Sequence, residues 1–247
     1  MDTKLIIDRG NTCIKLAVFE GARLVMRRSV LGMSEVKDLR DILNEKELSA
    51  KGCIFCSVGK QSDCFISSLK RYFGKDFFIL NPNTTLPITT KYDRSTLGGD
   101  RIAAVVGAWA LFPNKDVLVI DAGTAITYER LNSNGEYLGG NISPGMELRF
   151  KALNEHTCLL PHVSSGGNLP EWGLNTDEAI RSGVILGLVS EIEGYIRRCR
   201  KESADLVVLT TGGQTKYFES RLKNQTFVED LVLQGLNYIL DYQYKNV

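Results

Sequence analysis

Two short stretches of this 247-residue chain place an aspartate, a glycine and small polar side chains directly after an apolar run. Leu5-Ile6-Ile7 ends at Asp8-Arg9-Gly10-Asn11-Thr12, and Val117-Leu118-Val119-Ile120 ends at Asp121-Ala122-Gly123-Thr124-Ala125. Glycine lets a backbone approach a phosphate with no Cβ in the way, and exposed N–H groups in such a turn can bind phosphate oxygens. Asn11, Thr12 and Thr124 add side-chain donors, and Lys15 adds positive charge. A carboxylate cannot face an anion directly, so Asp8 and Asp121 each need a cation between themselves and the phosphate. Two carboxylates facing one triphosphate through cations form a layout suited to phosphoryl transfer. A single Asp-x-Gly is ordinarily just a turn; its recurrence lifts the chemical reading above that. Neither stretch is a Walker A loop or a Rossmann fingerprint.

The elements that must hold these turns can be read from periodicity. Residues 13–19 resume an extended apolar pattern after the first turn, which predicts a β-hairpin, and Glu20-Gly21-Ala22 leads to a third strand over 23–28. Val36, Leu39, Ile42 and Leu43 predict a helix over 35–48, and a second helix is expected over 63–73 between strands at 53–58 and 77–80. The second half begins again with a strand at 117–120, a strand at 126–131 and a hairpin signal at Asn134-Gly135. Asn175-Thr176-Asp177-Glu178 has capping-box spacing and opens a helix expected to run towards Arg200, apolar at Ile180, Val184, Leu188, Ile192 and Ile196. A strand at 206–210 meets Thr211-Gly212-Gly213, and a last helix over 230–242 closes the chain. Alternating strands and helices argue for an α/β class. The recurrence of strand, Asp-x-Gly and strand points to two similar domains, residues 1–114 and 115–247.

Composition narrows the function. Lys plus Arg number 30 and Asp plus Glu 29, a net charge of +1, so there is no basic field of the kind a general nucleic-acid or membrane-surface binder needs. No apolar run approaches the ~18 residues of a membrane span. His156 and His162 are the only histidines, which argues against a multi-histidine metal centre; they read as surface or subunit-contact residues. Cys53 and Cys56 form one C-x-x-C without a second pair to complete a zinc site, and read as small buried strand residues. The N-terminus lacks a signal-peptide layout, so reduced cysteines and a cytoplasmic location are expected. Trp109, at helical spacing from Val105 and Val106, reads as core, and Trp172 as part of a loop near substrate.

Five motifs in order resemble the type III pantothenate kinases. They are Asp8-Arg9-Gly10-Asn11-Thr12-x-x-Lys15, Gly98-Gly99-Asp100-Arg101, Asp121-Ala122-Gly123-Thr124-Ala125-x-Thr127, Gly139-Gly140-Asn141-Ile142-Ser143-Pro144-Gly145 and Thr211-Gly212-Gly213. The resemblance implies an α/β fold of two ribonuclease-H-like domains of the actin-like ATPase superfamily around a nucleotide cleft. It implies ATP-dependent phosphorylation of pantothenate to 4′-phosphopantothenate, the first step of coenzyme A synthesis, with Mg²⁺ and a monovalent cation, K⁺ or NH₄⁺. Asp100 would be the base that takes the proton from the pantothenate hydroxyl. Tyr92, Gly98, Gly99, Asp100 and Arg101 would form the substrate site, joined by Thr176 from the neighbouring subunit of a homodimer that shares its active sites. The turn Asp8, Arg9, Gly10, Asn11, Thr12, Cys13, Ile14 and Lys15 would contact the ATP phosphates together with Thr124, Gly212 and Gly213 would lie near the nucleoside, and Asp121 would hold the monovalent cation. No nucleic acid or membrane is implied as a partner.

Phosphoryl transfer depends mainly on positioning and charge neutralisation, and pantothenate is an anion for which Arg101 is a natural partner. Asp100-Arg101 also reads simply as a helix start, and both roles can hold together. Arg9 departs from the aliphatic residue usual in the first motif; it points outward or adds charge near the phosphates. Gly183 and Gly187 on the long helix read equally as an interface element or as core packing. Two rivals remain: a superfamily kinase for a sugar or carboxylate, which should lack the Gly98-to-Arg101 set beside Tyr92, and a non-catalytic nucleotide-binding accessory factor of transcription, which would have no use for Asp100 and Asp121.

Overall fold

The first strand, β1 (Thr3–Arg9), is apolar through its centre, and Leu5, Ile6 and Ile7 are wholly buried. A strand covered on both faces sits inside a sheet with neighbours on both edges. In the computed structural model, which describes residues 3–10, 13–30, 50–59 and 63–245, β1 has both. The strand β2 (Ile14–Glu20) runs antiparallel to it with Asp8 opposite Lys15, and β3 (Arg23–Val30) pairs beyond β2. On the other edge β4 (Gly52–Ser57) lies parallel with Asp8 opposite Cys56, and β5 (Phe77–Ile79) follows, giving the order β3-β2-β1-β4-β5. The helix α1 (Asp63–Phe73) buries Phe65, Leu69 and Phe73 against this sheet. The expected helix over 35–48 lies outside the described residues. A two-residue strand, β6 (Thr89–Thr90), precedes α2 (Gly99–Leu111), whose residues 101–108 are buried.

The second unit repeats the plan. The strand β7 (Val117–Ala122) pairs antiparallel with β8 (Ala125–Leu131), which pairs with β9 (Glu136–Pro144). At the expected Asn134-Gly135 turn Gly135 has φ 75°, and its N–H donates to Asn132 O at 3.0 Å. Two helices follow: α3 (Met146–Glu155), which the periodicity did not reveal, and α4 (Thr176–Glu202). On the other edge of β7 lie β10 (Val207–Thr211) and β11 (Thr226–Phe227), both parallel, so this unit's strands run β9-β8-β7-β10-β11. That is the arrangement of the first sheet. Side chains of α4, including Ile180, Val184, Leu188, Ile192 and Ile196, form one apolar core with Leu118, Ile120 and Ile126.

The unit boundaries differ from the expected 1–114 and 115–247. Residues 1–113 join 230–247 in the first unit, and residues 114–229 form the second. The cause is α5 (Leu231–Lys245), which returns to pack on α2 and β1. Asp241 takes the ammonium of Lys4 on β1 at 2.6 Å, and Asn237 Nδ2 donates to Gly21 O at 3.0 Å. At Gly235 the helix backbones approach so closely that a Cβ would lie 1.8 Å from Ala103 O. Gly235→Ala must therefore push the helices apart. The expected cost is about 1–3 kcal/mol, the usual range for overpacking. It is to be read as a lower denaturant midpoint at unchanged slope, and a midpoint equal to the parent's would contradict the packing described.

Candidate functional site

Asp8 stands near the end of β1, the central strand of the first sheet, and is itself only 5% exposed. Ladders on both sides pin its backbone, and Lys15, directly opposite on β2, projects from the same sheet face. Gly10 N donates to Cys13 O at 3.0 Å, and in the second unit Gly123 N donates to Ala125 O at 3.0 Å. These two N–H groups close their own turns. Asn11 and Thr12 lie outside the described residues. Arg9, Cys13 and Lys15 are half-buried, whereas Ile14 packs into the apolar core, so the backbone is all it can offer a ligand.

The Gly98–Arg101 motif forms the start of α2. Asp100 is in its first turn, and its Oδ1 accepts from Arg101 N at 2.8 Å, so the helix-start role is real. Arg101 is 6% exposed; its Nη1 donates to Tyr92 OH at 3.2 Å, and its guanidinium carbon lies 5.4 Å from the Tyr92 ring centroid. Tyr92 and Arg101, nine residues apart in sequence, are thus one assembly. Because α2 packs on β4, Cys56 shares this corner. Burial pushes its thiol well above the ordinary value, and the negative charges of Asp8 and Asp100 push it further. A cavity of about 280 Å³ opens at the helix start, lined by Ser57, Leu80, Arg94, Thr96, Gly98 and Gly99 among others. Arg94 donates to Thr84 O at 2.7 Å and to Asn81 O, another residue of the cavity wall, at 3.4 Å, contacts with no periodic or motif signal in the sequence.

In the second unit Asp121 is half-buried on β7, between Thr127 on β8 and Thr211 on β10. Gly212 lies over it with φ 96°, and a Cβ there would sit 2.5 Å from Asp121 Oδ1 and 2.4 Å from Ala122 O. The glycine keeps open a space walled by a carboxylate and a carbonyl, the hard oxygen donors that alkali and alkaline-earth cations take. Among the described residues no group of three or more His, Cys, Asp or Glu gathers to hold a metal, so a cation here would rely on backbone oxygens and ligand as well as Asp121. Thr124 and Gly213 are exposed, and Gly145 N donates to Thr124 O at 3.0 Å. Thr176 is exposed at the first residue of α4. The capping box forms only in part. Asn175 Oδ1 accepts from Glu178 N at 2.9 Å, while the Glu178 carboxylate accepts from Leu174 N at 3.0 Å rather than from Asn175 N.

Further along α4 the polar side chain Glu191 gathers three donors. Ser143 Oγ donates at 2.6 Å, Tyr128 OH at 2.8 Å and Arg149 Nη2 at 2.5 Å, while Arg149 Nε donates to Pro144 O at 2.8 Å. Burial opposes ionisation of Glu191, but the bonds from Ser143, Arg149 and Tyr128 outweigh it and hold the carboxyl below its usual range. Burial and the adjacent Glu191 push the Tyr128 phenol well above its ordinary value. The exposed His156 and His162 belong to none of these groups.

The family profile described as type III pantothenate kinase matches residues 4–198. The type III pantothenate kinase of Phocaeicola vulgatus is 44% identical over 98% of this chain and 99% of its own. Among solved structures, a Campylobacter jejuni protein titled as a member of the Baf family of transcriptional activators superposes with a TM-score of 0.63 at 23% identity, covering 98% of this chain and 100% of that one. A ROK hexokinase of Thermus thermophilus superposes with a TM-score of 0.52 at 15% identity, over 98% and 99%. At those identities the structural likenesses speak to fold alone.

The Glu191 cluster sets a pH dependence. A carboxyl held low in the folded state adds stability that is present above the unfolded value, about 4.3, and is lost as pH falls through the folded one. Glu191→Gln is expected to cost about 1–2 kcal/mol at pH 7, the low end for hydrogen bonds to a charge because the side chain is 27% exposed. Urea midpoints at pH 7 and pH 4 should show the gap between parent and variant narrowing in acid; a gap that widens in acid would overturn the assignment.

Proposed function

The chain belongs to the type III pantothenate kinase family, and from that premise we propose how its residues divide the work of moving the γ-phosphoryl group of ATP to the 4′-hydroxyl of pantothenate. The products are 4′-phosphopantothenate and ADP, and the step opens coenzyme A synthesis. Asp100 is the base: as the hydroxyl oxygen bonds to the γ-phosphorus, its proton passes to the carboxylate while the bond to the β-phosphate oxygen breaks. Arg101, held by Tyr92, takes the carboxylate of pantothenate, and Gly98 and Gly99 line the substrate beside them. The observation that carries this assignment is the start of α2, where Asp100 stands beside an Arg101 bonded to Tyr92 OH at 3.2 Å and the cavity lined by Gly98 and Gly99 opens.

Residues Asp8 to Lys15 contact the ATP phosphates, with Mg²⁺ offsetting the charge of Asp8, and Thr124 adds a hydroxyl. Gly212 and Gly213 lie near the nucleoside. Asp121 and neighbouring carbonyl oxygens hold K⁺ or NH₄⁺, which supplies positive charge that turns repulsion between the carboxylate and the anionic ligands into attraction. The space kept by Gly212 supports this.

The active species is a homodimer in which Thr176 reaches pantothenate bound to the partner subunit. In support, Gly183 and Gly187 of α4 face open space, and Trp172 and Leu174, beside Thr176, are 82% and 95% exposed. Among the described residues no helix is long and apolar enough to cross a membrane. The enzyme works in the cytoplasm, where its cysteines remain thiols.

The deciding assay incubates pure protein with ATP, Mg²⁺, K⁺ and a panel of pantothenate, sugars and short carboxylates, and reads products by mass spectrometry; phosphorylation of a sugar in place of pantothenate would refute the reading. Asp100→Asn is expected to lower turnover by roughly 10²–10⁴-fold with little change in melting temperature. Near-normal turnover would remove Asp100 from the base role. Activity should rise steeply when K⁺ or NH₄⁺ replaces Na⁺ at constant ionic strength, and Asp121→Ala should lose that response; an Asp121→Ala enzyme that still responds normally to K⁺ rules out the cation site. Sedimentation at assay concentration is expected to show a dimer, and a fully active monomer would overturn the shared site.

A further inference from the structure

Three segments of the second unit meet at Gln214, a half-buried residue to which none of the roles above extends. Its backbone N–H donates to Ala122 O, one residue beyond Asp121, at 3.0 Å. Its side-chain Oε1 accepts from Met146 N at 2.9 Å. Met146 is the first residue of α3, where a backbone N–H has no helical carbonyl to bond, and it is wholly buried. The residue before it, Gly145, donates to Thr124 O at 3.0 Å. The bonds therefore close a ring from Ala122 through Gln214 and Met146 to Gly145, and back to Thr124. The Asp121–Thr124 turn is gripped at both ends, and one amide side chain completes the grip. Thr215 locks the same loop from the other side, its Oγ1 donating to Thr211 O at 2.8 Å.

We infer that Gln214 is a positioning residue for the ATP side of the reaction: by joining Ala122 to the start of α3 it fixes the spacing of the Asp121 carboxylate and the Thr124 hydroxyl. It acts through those two residues. Losing the acceptor leaves the buried Met146 N–H dry, so the corner carrying Gly145 shifts to find another partner, and Thr124 O shifts with it. The substrate residues Tyr92, Gly98, Gly99 and Arg101 belong to the other unit. The inference rests on the assignment of Thr124 to ATP and Asp121 to the monovalent cation.

The test compares steady-state kinetics of Gln214→Met, which keeps the length and apolar stem but has no oxygen acceptor, with the parent enzyme. KM for ATP and the half-saturating K⁺ concentration are expected to rise roughly threefold to tenfold, the effect of one hydrogen bond, while KM for pantothenate stays within about twofold. If Gln214→Met does not fold, Gln214→Asn, whose amide stops short of Met146, carries the same comparison. Unchanged ATP and K⁺ parameters, or equal rises for ATP and pantothenate, would overturn the inference. Thr124→Ala is measured in parallel. If it raises KM for ATP and the Gln214 variant does not, the positioning role alone fails; if it leaves KM for ATP unchanged, the ATP assignment fails, and the inference with it.

Discussion

Each half of this protein depends on a central strand bonded along both edges and ending in a carboxylate. Leu5, Ile6 and Ile7 precede Asp8, and Val117 to Ile120 precede Asp121, all of these apolar residues no more than 1% exposed. Burying each such side chain contributes on the order of 1.5–3 kcal/mol, against a penalty of several kcal/mol for drawing an uncompensated carboxylate out of water. The apolar run thus holds the acid at a depth it would not take by itself. The two ladders then leave the carboxylate little lateral freedom, because sliding β1 or β7 by one residue would reverse every side chain on a strand buried on both faces.

The two carboxylates have different surroundings although their strands are alike. Asp8 is buried, with Lys15 opposite it on one edge and Cys56 on the other, and the same unit holds an arginine, Arg101, immobilised by Tyr92. Asp121 is half-buried among glycine-walled backbone, with its turn tied into the loops at Gly145 and Gly212. One environment suits proton transfer and recognition of an anionic acceptor. The other suits a hard cation and phosphate oxygens. A net charge of +1 means that neither relies on the field of the whole molecule; the charges that matter are local.

Polar groups away from the turns determine how firmly these parts are held. Glu191 collects donors from β8, β9 and α3, so the corner that carries Ser143 and Gly145 is anchored to the long helix through one carboxylate. Arg94 performs a comparable task in the first unit by bonding the carbonyls of Thr84 and of Asn81, the latter in the wall of the cavity at the start of α2. Each is a partly or fully desolvated charge with its bonds made, the condition under which such a group rigidifies its surroundings rather than weakening them.

Much was legible in the chain itself. The repeated strand, Asp-x-Gly and strand pattern announced two like sheets, and the spacing of Ile180, Val184, Leu188, Ile192 and Ile196 announced the buried face of α4, because alternation and helical spacing are local properties that burial imposes directly on sequence. The Gly98–Arg101 motif and Tyr92 likewise named an assembly that the structure brings together. Other features were decided only by tertiary contact. The return of α5 to the first unit depends on a backbone approach at Gly235 and an ion pair between Lys4 and Asp241, residues separated by almost the whole chain. The loss of the Gly10 and Gly123 N–H groups to their own turns, the withdrawal of Ile14 into the core and the gathering of donors on Glu191 have no periodic signature. Hydrogen bonds between distant segments are satisfied by geometry, and geometry exists only once the sheets have formed.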